Sequence, residues 1–359
     1  MRAMVEKTLR NPAFCILPFI ERFQNLNGKR YLCCNSNVPV DDPEMDDIRY
    51  KLLSQQKIPH CETCYQQEQK KIISPRQLQT SRWLRDPEVK EYIEGWKAGE
   101  SRTYFYDIRF DSKCNLACIC CNPTNSSLWA KELGIENATN ELCFDIKEAL
   151  SSKKVYLAGG EPLIIDQFID FINDVANLDQ QPELVINTNL TRVNEKLKAT
   201  MVKIKKLTLV VSIDAYGSIN EYHRWPMKWD KLIKNLEWAR SIKCNIRFNT
   251  VVDAISIMNV HQLREIEHFA DEWNLVILTE PAALVINNVP SGLKDQVSNR
   301  FNDIKRSDFY KKDPIFKRRV DAISDMIMMD GNEKMLREYI DVLDKRRNIN
   351  HEDYLGFRL

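Results

Sequence analysis

The stretch Tyr104-Phe-Tyr-Asp-Ile-Arg-Phe-Asp111-Ser-Lys-Cys114-Asn-Leu-Ala-Cys118-Ile-Cys120-Cys121-Asn-Pro123 runs an apolar, strand-like segment directly into a C-x3-C-x2-C loop. Five more apolar, β-branched segments follow it: Lys154 to Gly160, Glu183 to Leu190, Lys206 to Asp214, Asn245 to Val252 and Asn274 to Glu280. Helical patterns lie among them at Gln167 to Leu178, Asn194 to Ile204, Trp229 to Ile242 and Val260 to Trp273. Strand and helix alternating in this way predict parallel βα units. A run such as Leu207-Thr-Leu-Val-Val-Ser-Ile213 fits a parallel strand buried on both faces. Six strands predict an α/β, partial TIM-like barrel, and such folds gather their chemistry at the C-terminal ends of the strands.

The barrel is expected over residues 104–290, with other material on both sides. Residues 1–66 are turn-rich and strand-poor, are broken by Pro12, Pro18, Pro39, Pro43 and Pro59, and hold five cysteines. They predict a small metal-stapled, Cys-rich module. Residues 67–103 are polar and helical, with Trp83, Tyr92 and Trp96 as expected anchors of a connector. Residues 291–359 turn charged and helical again, at Asp313 to Met329 and Glu333 to Arg347, and are expected to pack outside the barrel or close its open side.

Eleven cysteines in 359 residues is about 3%, well below the ~8–10% of a disulfide scaffold. Nine of them fall between Cys15 and Cys121, a clustering that points to metal or redox chemistry. Cys143 and Cys244 stand alone in apolar-periodic stretches and are expected in the core. Cys114, Cys118 and Cys121 supply three thiolates within eight residues, enough for one corner of an iron–sulfur cube whose fourth iron lacks a protein ligand. A structural zinc site takes four ligands, and no His lies near to complete the set. In the N-terminal module, Cys15-x12-Gly28-x4-Cys33-Cys34 is followed by Cys61-Glu-Thr-Cys64. Cys15, Cys33, Cys61 and Cys64 would close a second iron–sulfur cluster or equally a zinc ribbon. Cys34 and His60 are competing ligands there.

The other strand ends present small and polar groups. Gly159-Gly160-Glu161-Pro162 allows close backbone approach with a carboxylate beside it, suited to a ligand ammonium. Asn187 and Asn189 end the third strand; Ser212 and Asp214 end the fourth, where helix capping is the competing role. Arg224, in Glu221-Tyr-His-Arg224, offers a planar fork for a carboxylate, with an ion pair to Glu221 as the alternative.

The C-x3-C-x2-C loop after a first strand resembles the radical S-adenosylmethionine (radical SAM) superfamily, which implies a partial (βα)6 barrel and a [4Fe-4S] cluster on Cys114, Cys118 and Cys121. The resemblance implies that Gly159, Gly160, Glu161 and Pro162 receive the methionyl amino group of S-adenosylmethionine and that Ser212 and Arg224 hold its carboxylate. It leaves Asn187, Asn189 and Asp214 for ribose or substrate, and Asn249 and Val251 for the adenine pocket. Cys120 departs from the pattern by standing where a larger residue usually meets the adenine. The CX12GX4C element resembles the twitch and SPASM auxiliary-cluster modules, here placed before the barrel. The activity implied is reductive cleavage of S-adenosylmethionine to a 5′-deoxyadenosyl radical that takes hydrogen from a substrate. A peptide or protein is the expected substrate, with a small molecule next, and a flavodoxin- or ferredoxin-type reductant is implied. The competing functions are an iron–sulfur electron-transfer protein and a metal-stapled scaffold without turnover.

Composition narrows the setting. Lys plus Arg number 52 against 51 Asp plus Glu, so no monopole favours nucleic acid. No apolar run approaches the ~20 residues of a membrane span. Charges through Met1 to Arg10 replace the apolar core of a signal peptide, so a cytoplasmic location is expected. Trp225, Trp229 and Trp238 are expected to be packing, and Lys345-Arg-Arg347 a solvated helix end. His223, His261, His268 and His351 show no metal-ligand spacing.

Overall fold

The computed structural model describes residues 12–26, 29–36, 38–69, 73–136 and 145–359; Gly28 and Cys143 lie outside them. Among the described residues the strands are β1 (Glu21–Gln24), β2 (Arg30–Tyr31), β3 (Phe105–Ile108), β4 (Lys154–Leu157), β5 (Glu183–Thr188), β6 (Leu207–Ser212), β7 (Asn245–Val252) and β8 (Glu272–Ile277). They form one sheet in the order β2-β1-β3-β4-β5-β6-β7-β8. Every pairing is parallel except β1 with β2. Among the described residues no helix is long and apolar enough to cross a membrane.

The six expected strands are all present, and five of them stop short of the expected C-terminal end, β8 at Ile277 rather than Glu280. Arg109–Asp111, Ala158–Gly160, Asn189–Leu190 and Ile213–Asp214 leave the ladder and turn into the loops that build the site. Period-two alternation sorts each strand's side chains. Ile108, Leu157, Ile186, Leu209, Val211, Phe248 and Leu275 enter the core under the surrounding helices. Asp107, Tyr156, Arg247, Asn249, Glu272 and Asn274 line the lumen. Both-face burial therefore holds for Leu207–Val211 of β6, whereas β7 alternates buried and half-buried positions. The reason is geometric: helices cover only the outside of a barrel, and an open lumen keeps polar side chains.

The helix Asp166–Ala176 buries Phe168, Phe171, Ile172 and Val175 on one face. That i, i+3, i+4, i+7 spacing marks an amphipathic helix, and each buried Phe stabilises by roughly 1.5–3 kcal/mol. Val260–Phe269 forms successive 3-10 turns rather than an α-helix, and Trp273 belongs to β8. Its buried residues Val260, Leu263 and Ile266 recur every three residues, the period of a 3-10 helix.

The N-terminal segment joins the barrel's sheet, since β1 pairs with β3 through Glu21–Phe105 and Phe23–Asp107. Its core gathers Phe14, Cys15, Ile16, Phe19, Cys33, Ile48, Leu52 and Cys61 against Leu84, Tyr92 and Tyr104. The connector contains helices Pro75–Trp83 and Pro87–Gly95, each with Pro in its first turn. A capping box between Ser74 and Gln77 starts the former, and Asp86 caps the latter. Trp83 lies 6.0 Å from Phe105 and Trp96 meets Phe19 edge-on at 5.5 Å. At the far end, Pro314–Ile327 packs Phe316 on Trp273 of β8 and puts Arg319 on the lumen wall. Glu333–Arg347 lies over the cysteine loop.

Candidate metal centre and cofactor pocket

The loop carrying Cys114, Cys118 and Cys121 is fixed through its backbone, which frees the sulfurs to face inward. Ser127 Oγ accepts from Cys114 N at 3.0 Å, Trp129 Nε1 donates to Cys118 O at 2.7 Å, and Ser126 Oγ donates to Leu116 O at 2.6 Å. Ala117 N and Ile119 N donate to the carbonyls of Trp225 and His223. Tyr339 OH donates to Ile119 O at 2.8 Å and Arg347 Nη2 to Ala117 O at 2.8 Å. Arg347 is buried, pairs with Glu132 at 3.2 Å, and stacks on the rings of Trp129 and Trp225. This corrects the expectation of a solvated Lys345-Arg-Arg347 end: Lys345 and Arg346 are exposed while Arg347 points into the protein.

The glycine motif is stitched to the same loop. Glu161 N donates to Lys113 O at 2.8 Å, and a Cβ on Gly160 would sit inside contact distance of that carbonyl. Gly159 and Gly160 both hold positive φ, 89° and 49°, backbone that glycine adopts without steric cost. The Glu161 carboxylate is buried and fully engaged. Leu163 N and Thr188 Oγ1 donate to one oxygen and Asn189 N to the other, at 3.1, 2.6 and 2.6 Å. Burial lifts its pKa to about 7 against these bonds and the pull of Arg224.

Cys114, Cys118, Cys120, Cys121, Gly160, Glu161, Asn187, Asn189, Ser212 and Arg224 all line one cavity of about 220 Å³, together with Thr188. Gly159, Pro162 and Asp214 are not on its wall: Gly159 packs on Arg109, Pro162 begins the turn Pro162–Ile164, and Asp214 is fully buried. Asn249 lines the lumen cavity, and Val251 N donates to Asp214 at 2.7 Å. Arg224 Nε pairs with Asp214 at 2.7 Å while Nη1 lies 3.7 Å from Cys118 Sγ. Glu221 instead pairs with Lys228 and accepts from Trp229 N. His223 bridges Asp214 and Asp253 at 2.9 and 2.6 Å. Asp253, His223, Asp214 and Arg224 thus form a buried row of alternating charge ending at a cysteine sulfur.

Burial pushes the site's thiols up, Cys118 to about 12, and the neighbouring cysteines add to the rise at Cys114 and Cys118. Three thiolates so placed call for a metal cation to compensate them, and the donor set suits an iron–sulfur cluster with one open iron. Cys120 Sγ, a His223 nitrogen and an Asp253 oxygen lie within 4.8 Å of one another. Both His223 nitrogens already face carboxylates, Asp214 and Asp253, so this ring has no nitrogen left for a metal and Cys120 only adjoins the pair.

In the N-terminal segment Cys15, Cys33, Cys61 and Cys64 are all buried. Burial raises each thiol; Cys61 and Cys64 add to the rise at Cys15, and Cys15 adds to that at Cys33. Cys34 lines the lumen cavity instead. Both ring nitrogens of His60, beside Cys61, are buried without a hydrogen-bond partner.

Residues 108–272 match the Radical SAM superfamily. Over these residues the chain is similar to a radical SAM domain. Two curated relatives are GTP 3′,8-cyclases. That of Campylobacter lari is 24% identical over 45% of this chain and 50% of its own length, and that of Alkaliphilus oremlandii 33% identical over 28% and 33%. The chain therefore spans half of the first relative's length and a third of the second's. Among solved structures, Streptococcus suis SuiB aligns at TM-score 0.42 and 16% identity over 85% of this chain and 68% of its own. The structure titled anSMEcpe with bound AdoMet gives 0.42 and 15% over 60% and 59%.

The site draws on groups that no motif in the sequence marks. Thr188 fastens Glu161, Asp253 and His223 fasten Asp214, and Tyr339 and Arg347 reach the cysteine loop from beyond residue 290. The position of Asp253 directly after β7 is a usable signal for the second of these networks. Nothing local marked Tyr339 or Arg347.

Proposed function

We propose that the chain is an enzyme holding a [4Fe-4S] cluster on Cys114, Cys118 and Cys121, with S-adenosylmethionine bound in the adjoining cavity. What carries the reading is the convergence of the three thiols, Asn187, Asn189, Ser212 and Arg224 on one cavity. When bound, the cluster and S-adenosylmethionine supply a 5′-deoxyadenosyl radical for hydrogen abstraction. Arg224 would meet the methionyl carboxylate with the part of its fork not held by Asp214. The Glu161 carboxylate, engaged three times over, acts as a strut that holds the β5 end and the glycine turn together, leaving the turn's backbone and Asn189 to face the methionyl ammonium. The substrate is a peptide or protein on the strength of the CX12GX4C element, and the reductant is of flavodoxin or ferredoxin type, in a cytoplasmic setting.

We further propose a second cluster on Cys15, Cys33, Cys61 and Cys64, supported by their shared burial and mutual influence. Anaerobic reconstitution with iron and sulfide tests both assignments. Protein given S-adenosylmethionine and dithionite should form 5′-deoxyadenosine, and Cys114→Ala should not. Iron should approach about eight per chain, falling to about four in Cys61→Ala/Cys64→Ala. Zinc at the N-terminal site would refute the second cluster, and a fully loaded chain that leaves S-adenosylmethionine intact would refute the enzyme.

A further inference from the structure

A second cavity, of about 290 Å³, occupies the barrel lumen. Glu21 of β1 and Asp107 of β3 both lie on its wall. The register that sets Glu21 opposite Phe105 places Asp107 two residues further along, on the same face. Glu21 is 8% exposed and Asp107 2%. Glu21 Oε2 and Asp107 Oδ1 are buried without a hydrogen-bond partner. Among the described residues the one ion pair at either carboxylate is Arg109 Nη2 to Asp107 Oδ2, at 3.4 Å. Buried charges are ordinarily paired, since leaving one unpaired costs several kcal/mol. Here two carboxylates share one loosely held guanidinium, so this wall lacks one positive charge. The facing wall also carries Arg82, Arg247 and Arg319, but these are engaged elsewhere: Arg319 bonds Asn274 Oδ1. Arg247 grips Glu272 through two bonds of 2.9 and 3.0 Å, and Arg82 joins the same carboxylate at 3.1 Å.

We propose that Glu21 and Asp107 receive a cationic group of the substrate, a protonated amine or a guanidinium. This deepens the enzymatic reading above and rests on it. The wall also carries Phe105, Tyr156 and Val210, and among the described residues no third carboxylate acts on Glu21 and Asp107, where a hard divalent cation would gather six or more oxygens. An aliphatic stem carrying a charge suits such a wall, and an aromatic face such as that of Tyr156 attracts cations. The location serves the chemistry. Asn249 and Val210 of the lumen are the register neighbours of Ser212 and Asn187 in the cofactor cavity. A substrate anchored on β1 and β3 would extend toward the strand ends. Burial, together with the neighbouring carboxylate at Glu21, already pushes both groups above the usual carboxylate range, as expected where a counter-charge is missing.

The test is calorimetric titration of the reconstituted full chain, with S-adenosylmethionine present. Nα-acetyl-lysine methyl ester is compared with the norleucine ester, the arginine ester with the citrulline ester, and calcium chloride is run alone. A basic ester should bind about tenfold or more tightly than its neutral counterpart, the scale of a charge-assisted hydrogen bond. Glu21→Gln and Asp107→Asn should each abolish that preference, and Glu21→Gln should melt at or above the wild-type temperature, because Glu21 is the buried carboxylate without an ion pair among the described residues. Equal response to charged and neutral esters, no response to either, response to calcium alone, or a preference surviving in both variants overturns the proposal. 5′-Deoxyadenosine from the same wild-type sample is read separately. Its absence alongside an intact preference defeats the enzymatic reading and leaves the cation site standing.

Discussion

Arg224 performs two tasks from one planar fork: Nε is fixed by Asp214 at 2.7 Å while Nη1 reaches to 3.7 Å from Cys118 Sγ. A lysine would keep the charge and lose the fork. Arg224→Lys is therefore expected to retain iron and to weaken S-adenosylmethionine binding by about tenfold or more, the loss of a charge-assisted contact; calorimetry on the reconstituted protein measures it, and unchanged affinity would remove Arg224 from the pocket's chemistry. Behind it, burial alone would lower the His223 pKa, but Asp253 and Asp214 outweigh burial and raise it from 6.5 to about 9. The folded state thus binds its proton more tightly than the unfolded chain does. The associated stability is complete below pH 6.5 and is lost as pH rises toward about 9, amounting to about 3 kcal/mol at most. Melting profiles of wild type and His223→Gln should converge across that window, the wild type losing its advantage at the alkaline end. Parallel profiles would show that the imidazolium contributes nothing.

At the scale of elements, the strand ends and the helix Glu333–Arg347 divide the work of holding the cysteine loop. The strand ends were legible because period two, the glycines and the cysteine spacing are local signals carried by adjacent residues. The helix's role was not, because Tyr339 and Arg347 act on carbonyls of Ile119 and Ala117, more than two hundred positions away. The helix does show its apolar face in sequence, as Leu336, Ile340 and Leu343. Arg347 continues that same face at i+4 from Leu343, and a composition-based reading counts it with exposed Lys345 and Arg346. The segment Val260–Phe269 departs from the expected α-helix for a related reason: its apolar residues recur every three positions, the period of a 3-10 helix. Arg347→Ala strands the Glu132 carboxylate and the Ala117 carbonyl. It is expected to cost about 2–4 kcal/mol and to reduce iron retained at the three-cysteine site. Arg346→Ala, one residue away and exposed, should stay within about 0.5 kcal/mol. Chemical unfolding and iron assay of the two variants decide the matter, and equal behaviour would return Arg347 to the solvated surface.

For the molecule as a whole, the sequence divides the chain into an N-terminal module, a connector and a barrel, whereas hydrogen bonds and packing run across those divisions. β1 supplies the parallel neighbour of β3 and carries Glu21 on the lumen wall. Tyr92 packs on Tyr104 at 5.8 Å and Trp83 on Phe105 at 6.0 Å, joining connector to barrel. Composition could not reveal this, because β1 is only four residues long and its sequence, Glu-Arg-Phe-Gln, has no apolar run. A strand of that kind is stabilised by its partner's ladder rather than by its own propensity. Were the barrel independent, residues 104–359 would fold alone. The structure argues otherwise: without residues 1–103 the β3 edge loses its ladder partner, Phe105 and Tyr104 lose their aromatic cover, and an unpaired parallel edge invites aggregation. A chain of residues 104–359 is therefore expected to be insoluble or to bind ANS without a cooperative melt, although it retains Cys114, Cys118 and Cys121. A sharp melt near the full-length temperature, with one cluster's worth of iron, would instead establish the N-terminal segment as a separable module and confine the radical chemistry to the barrel.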